Sequence, residues 1–130
     1  MNLLIRGIFS AKKHEKKHHS IHALSVVDQY LEHGRVLYFH HSGKELMYIS
    51  SADFMVRNLD HRVEAACPIM DFDLKSELKE ILSIQFSDNV KARVLDAEFK
   101  NNYVDVKNAR KFRSQEEILK YLQKKTRQEL

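Results

Sequence analysis

His33 and Arg35, two residues apart in "YLEHGRVLYF", are of types that together suit phosphate chemistry. If "HGRVLYF" is extended from His33, the two-residue alternation of a strand puts both side chains on one face. The guanidinium can then hold phosphate oxygens through charge-assisted hydrogen bonds. The imidazole can take or give a proton near neutral pH, or attack phosphorus. A structural reading competes. A stretch with helical spacing precedes His33, and an imidazole there would bind the last carbonyls of a helix and favour its negative end. Residue type and spacing leave both readings open.

More polar function follows in "YISSADFMVRNLDHRVEAACPI", Tyr48 to Ile69, which sets serines, acids, an asparagine, Arg57 and Arg62 between two strand candidates. These arginines either face an anion or are neutralised internally by Asp53, Asp60 and Glu64. Arg6, on the opening strand, has the same two readings. The stretch "SAKKHEKKHHSIH" holds four lysines and four histidines without apolar periodicity. It reads as a solvated basic loop. A metal site from His14, His18 and His22 would need a helix that the lysines disfavour, and acid or cysteine ligands on a defined scaffold are lacking, so no metal ligands are assigned.

The elements that must position these residues are read from periodicity. "NLLIRGIF" is a strand candidate. Leu24, Val27 and Leu31 recur at helical spacing from Ile21, and Gly34 is placed to end a helix near His33. "RVLYF" and "LMYIS" flank "HHSGKE", whose Ser-Gly supplies turn chemistry, so they form a hairpin that brings Ser51 to Asp53 beside His33. Asp71 or Asp73 caps a helix striped by Leu74, Leu78, Ile81, Leu82 and Phe86. The segment from Val90 to Val106 is irregular to extended. Ser114 and Glu117 form a capping box before a last helix. The expected fold is α/β, with strands at Asn2–Ile8, Arg35–Phe39, Leu46–Ser50 and Arg62–Cys67 in one sheet and the Leu74–Phe86 helix packed on it.

At 130 residues and 43% hydrophobic, with no internal repeat, the chain has room for one modest core and is one domain or part of one. A net charge of +4 permits anionic partners without requiring them. The lone cysteine, Cys67, gives no disulfide framework, and "MNLLIRGIF" meets charge too soon to be a signal peptide. The expected location is the cytoplasm, with peripheral membrane attachment compatible.

Taken together, "LLIRGI", "SVVDQYLEHGRVLYF", "YISSADFMVRNLDHRVEAACPI", "FSDNVKARVLD" and "NARKFRS" resemble the C-terminal end of bacterial polyphosphate kinases. The resemblance covers nearly all of residues 1–130 and implies the later part of the second phospholipase-D-like domain, hence a piece of a longer polypeptide. It implies transfer of the terminal phosphate of ATP onto inorganic polyphosphate through a phosphohistidine carried on another domain, where the Mg ligands also lie. His33 corresponds to a second catalytic histidine, and Arg6 and Arg62 to arginines that contact ATP or phosphate. Implied partners are ATP and ADP, polyphosphate, the remainder of the enzyme chain and further copies of the parent, with no nucleic acid. His33 and Arg35, with Ser50, Ser51 and Asp53, also resemble a worn form of that superfamily's His-x-Lys and Gly-Ser-x-Asn pattern. "FSAKKHEKKHHSIHA" and Phe54, where tryptophan is usual, depart from the family. From another class, a non-catalytic polyanion-binding module would need only the basic surface.

Overall fold

Ala23 and Leu24 are adjacent in sequence and both buried, which no amphipathic surface element requires but a central strand covered on two faces does. In the computed structural model, which describes residues 1–7, 9, 21–96, 98, 100–107 and 109–128, they lie on a strand. The elements in chain order are β1 (Asn2–Leu4), β2 (His22–Val26), β3 (Val36–Phe39), β4 (Leu46–Ser50), α1 (Val56–Leu59), β5 (Ala66–Pro68), α2 (Phe72–Phe86), β6 (Ala92–Val94) and α3 (Ser114–Gln128). This corrects the helix expected from Ile21 to Leu31. β2 spans only five residues, HALSV, and the adjacent buried pair Ala23 and Leu24 removes the alternation that would have marked a strand. β1 stops at Leu4, short of the end expected at Ile8, which lies outside the described residues with the basic stretch holding His14 and His18; His22 opens β2.

The strands form two three-stranded sheets rather than the one expected. The chain divides into two compact units, residues 1–31 with 81–130, and residues 32–80. In the first unit β2 is central, pairing parallel with β1 and antiparallel with β6. Leu24 and Ala92, at 2% and 0% exposure, mark its core. Asp88 organises the rest of this unit. Its carboxylate accepts the N–H groups of Val90, Lys91 and Ala92 at 2.9, 2.6 and 3.0 Å, and that of Ser114 at 2.7 Å. Burial pushes this carboxyl up, but the N–H bonds from Ser114, Lys91 and Val90 outweigh that and hold it below the usual aspartate range. The expected capping box is therefore corrected. Asp88 rather than Glu117 takes the Ser114 N–H, and Glu117 turns to Lys120 at 2.6 Å.

In the second unit β3 and β4 make the expected hairpin, with Val36 opposite Ile49 and Phe39 opposite Leu46. The turn places His41, Ser42 and Gly43 at positive φ, and at Gly43, where φ is 91°, a side chain would be strained. β5 pairs antiparallel with β4 and is shorter and later than the expected Arg62–Cys67 strand. Arg62 lies in the bend before it. Pro68 ends β5 on the sheet edge, where a missing N–H costs no ladder bond. Asp71 caps α2, its Oδ1 accepting the Leu74 N–H at 2.9 Å. Residues 72–80 of that helix belong to this unit and meet the hairpin through Glu45. Its carboxylate takes Lys79 Nζ and Tyr38 Oη, both at 2.6 Å. Among the described residues no helix is long and apolar enough to cross a membrane.

Candidate phosphate-handling site

Hairpin register brings the residues around His33 together. The β3–β4 ladder runs on past Val36 and Ile49, with Ser50 N–H donating to Arg35 O at 2.8 Å. The next turn of chain thereby lies beside Arg35, and Asp53 Oδ1 accepts Arg35 Nε at 2.7 Å. Arg35 Nη2 in turn meets His33 Nε2 at 2.8 Å. The sequence expectation that residues 51–53 flank His33 holds. The helix-cap alternative for His33 does not, because residues 27–35 contain no helix. Arg35 differs from its expected role as an open phosphate ligand, since its guanidinium is already shared between a carboxylate and an imidazole. The hydrogen bond from Arg35 is also the main reason that the Asp53 carboxyl sits below its ordinary range.

A second carboxylate fixes the segment that follows. Glu64 accepts Ser51 Oγ–H through Oε2 and Asn58 Nδ2–H through Oε1, the latter at 2.7 Å. These two bonds, Ser51's first, hold the Glu64 carboxyl low. Ser51 Oγ also accepts the Ala65 N–H at 3.0 Å, and Ser50 Oγ accepts the Ala52 N–H at 3.1 Å. Two serines thus tie the exit of β4 to the approach of β5. Among the described residues the internal ion pairs expected between Asp53, Asp60 and Glu64 and the arginines of this stretch are not formed, and Asp53 pairs instead with Arg35 from the approach to β3. Among the described residues the exposed guanidiniums of Arg57 and Arg62 donate no hydrogen bond, and Arg62 acts on Glu64 through charge alone. Their donors stay open to an anion. Asn58 was not singled out from sequence. It is 4% exposed on the single turn of α1, and its Oδ1 has no partner among the described residues. An asparagine in so polar a stretch was the one available signal.

Arg6 belongs to the first unit. Ile5 N–H donates to Leu24 O at 2.9 Å, which carries the parallel ladder one step past β1 and leaves Arg6 exposed at the strand's carboxyl end. That is the end of a parallel pair where ligands bind in open α/β sheets. In the same unit the chain leading toward His33 is held by the start of α3. Arg113 grips Asp28 with two bonds of 2.7 Å, and Gln115 Nε2 donates to Tyr30 O at 2.8 Å. The Arg113 hydrogen bond lowers the Asp28 carboxyl, and the arginine itself is raised. Arg113, part of the basic stretch noted in the sequence, is thus structural. Among the described residues no group of His, Cys, Asp or Glu is arranged to hold a metal ion.

Residues 1–115 match the family model described as polyphosphate kinase C-terminal domain 2. The polyphosphate kinase of Escherichia coli (strain K12) is 46% identical over 123 residues, covering 94% of this chain and 18% of that protein. The polyphosphate kinase of Vibrio parahaemolyticus is 44% identical over 133 residues, covering 99% of this chain and 19% of its own length. The crystal structure of polyphosphate kinase from Porphyromonas gingivalis matches with a TM-score of 0.78 at 45% identity, over 81% of this chain and 16% of that one. The chain thus spans about 18% of the length of these curated relatives. Sequence match and shared fold agree, and the chain belongs to the polyphosphate kinase family, in its C-terminal domain 2.

Proposed function

We propose that this chain supplies the second half of a polyphosphate kinase active site, built on part of a phospholipase-D-like domain. The parent reaction is ATP plus polyphosphate of n units giving ADP plus polyphosphate of n + 1 units. In its first half a histidine outside this chain attacks the γ-phosphorus and ADP leaves. In its second half a terminal polyphosphate oxygen takes the phosphoryl group from that histidine. Such transfers ask the protein mainly to align the groups and stabilise charge on the transferring oxygens. Arg6 and Arg62 are assigned to the triphosphate and the arriving chain, and His33 to the face opposite the nucleophile. Magnesium would neutralise phosphate charge, with its ligands outside this chain. The parent enzyme, a phosphoprotein during turnover, is placed in the cytoplasm as a homo-oligomer.

The observation that carries this reading is the division of labour between residues 33 and 64. The carboxylates of Asp53 and Glu64 are engaged by neighbours, while the exposed arginines keep open donors. A site that had neutralised its arginines internally would attract no phosphate. The test is His33→Ala in the full-length kinase. Turnover falls by about two to three powers of ten, the usual cost of one positioned stabiliser, with melting little changed. Full activity per folded molecule would leave only a polyanion-binding surface.

A further inference from the structure

Asp53, Arg35 and His33 form a line of contacts in which each member restricts the next. Asp53 Oδ1 takes Arg35 Nε at 2.7 Å, and at 27% exposure both side chains are partly shielded from competing water. That bond fixes the plane of a rigid guanidinium. From this plane Nη2 lies 2.8 Å from His33 Nε2. Guanidinium nitrogens only donate, so this imidazole nitrogen accepts, and the proton of the neutral ring sits on Nδ1. We infer that the Asp53–Arg35 pair holds His33 in the Nδ1–H tautomer, so that the nitrogen left for an anion is a hydrogen-bond donor.

The tautomer decides what His33 can do. Nδ1 carries hydrogen and the Nε2 lone pair is occupied by Arg35, so neither nitrogen is free to attack phosphorus. As a general acid the neutral ring is poor, because losing its Nδ1 proton would leave an imidazolate. It can donate a hydrogen bond to an oxygen of a transferring phosphoryl group, backed by the positive charge of Arg35. Of the roles open to a second histidine, electrostatic stabiliser is the one this geometry permits. Arg35 is then a positioning residue acting through His33. The tautomer stands on geometry alone, and only its meaning for phosphoryl transfer rests on the function proposed above.

Long-range nitrogen–proton NMR of the chain carrying isotope-labelled histidine reads the tautomer directly, at a pH where imidazoles are neutral. His33→Gln identifies the His33 signals by deleting them. In the native chain His33 is expected with a protonated Nδ1 and a bare, hydrogen-bonded Nε2. In Arg35→Met, which keeps the stem and removes every donor, the proton moves toward Nε2. A native His33 protonated on Nε2 overturns the inference, as does an unchanged tautomer in folded Arg35→Met. If that variant fails to fold, Asp53→Asn takes its place, with the same expected direction and the same contradicting result. No phosphate or nucleotide is present, so failure here is distinct from failure of the kinase reading.

Discussion

Two carboxylates, Asp88 in the first unit and Asp53 in the second, show how the same functional group serves opposite ends. Asp88 is 1% exposed and spends its oxygens on backbone N–H groups from two distant segments. Backbone donors cannot move without unfolding, so this carboxylate reports on stability. Asp53 is partly exposed and holds a side chain, Arg35, which in turn holds another, His33. Side-chain donors can be removed one at a time with the backbone intact. The first arrangement builds the frame, and the second aims a reactive group.

The comparison is easiest to break with the largest effect, the loss of two to three powers of ten in turnover expected for His33→Ala in the full-length kinase. His33 is exposed, so its removal should change stability by no more than about 0.5 kcal/mol, measured by thermal melting alongside the assay. A large drop in melting temperature with activity retained per folded molecule would move His33 into the frame.

Asp88→Ala should do the reverse. Each backbone bond to an ionised acceptor contributes on the order of 1.5 kcal/mol or more, and several go at once, so a loss of about 3 kcal/mol or more is expected in urea unfolding. The pH dependence has a definite sign. The folded-state carboxyl lies below its ordinary value of 3.8, so its contribution is fully present above that value and is lost as pH falls below it. The Asp88→Ala variant should therefore show a flatter acid limb than the native chain.

How far the sequence could be read follows the same division. The β3–β4 hairpin was legible because aromatic and β-branched runs flank a Ser-Gly turn, and α2 because Asp71 precedes a long apolar stripe. β2 was not, since a short strand buried on both faces loses the alternation that identifies it. The start of α3 was misread for a different reason. The local signal, Ser114 with Glu117, competed with Asp88 from 26 residues earlier, and only the folded chain shows that the distant carboxylate takes the N–H. At the site, residue types left His33, Arg6 and Arg62 open between a phosphate and a structural reading, and it was the family resemblance that implied phosphate. Which arginine was already committed to an acid depended on strand register, so the engagement of Arg35 became visible only in the structure.

A smaller effect sharpens the site itself. Arg62→Ala should weaken polyphosphate binding about fivefold, corresponding to ~1 kcal/mol for an exposed charge contact, and should reduce the salt dependence of binding. Arg113→Ala, whose guanidinium is committed to Asp28, should lower stability and leave the salt dependence of binding by the folded chain unchanged. Titration of the chain with polyphosphate at several salt concentrations separates the two. Equal changes in salt dependence would erase the distinction drawn between open and committed arginines.

The most direct measurement is the location of the phosphoryl group during turnover. The full-length kinase, native and His33→Ala, is incubated with magnesium and γ-labelled ATP, kept from acid because phosphohistidine is acid-labile, and digested to find the labelled peptide. A label on a histidine outside residues 1–130 in both proteins, with onward transfer to polyphosphate slowed in the variant, is the expected result. A label on His33 itself, lost in His33→Ala, would make it the nucleophile and contradict the assignment of stabiliser.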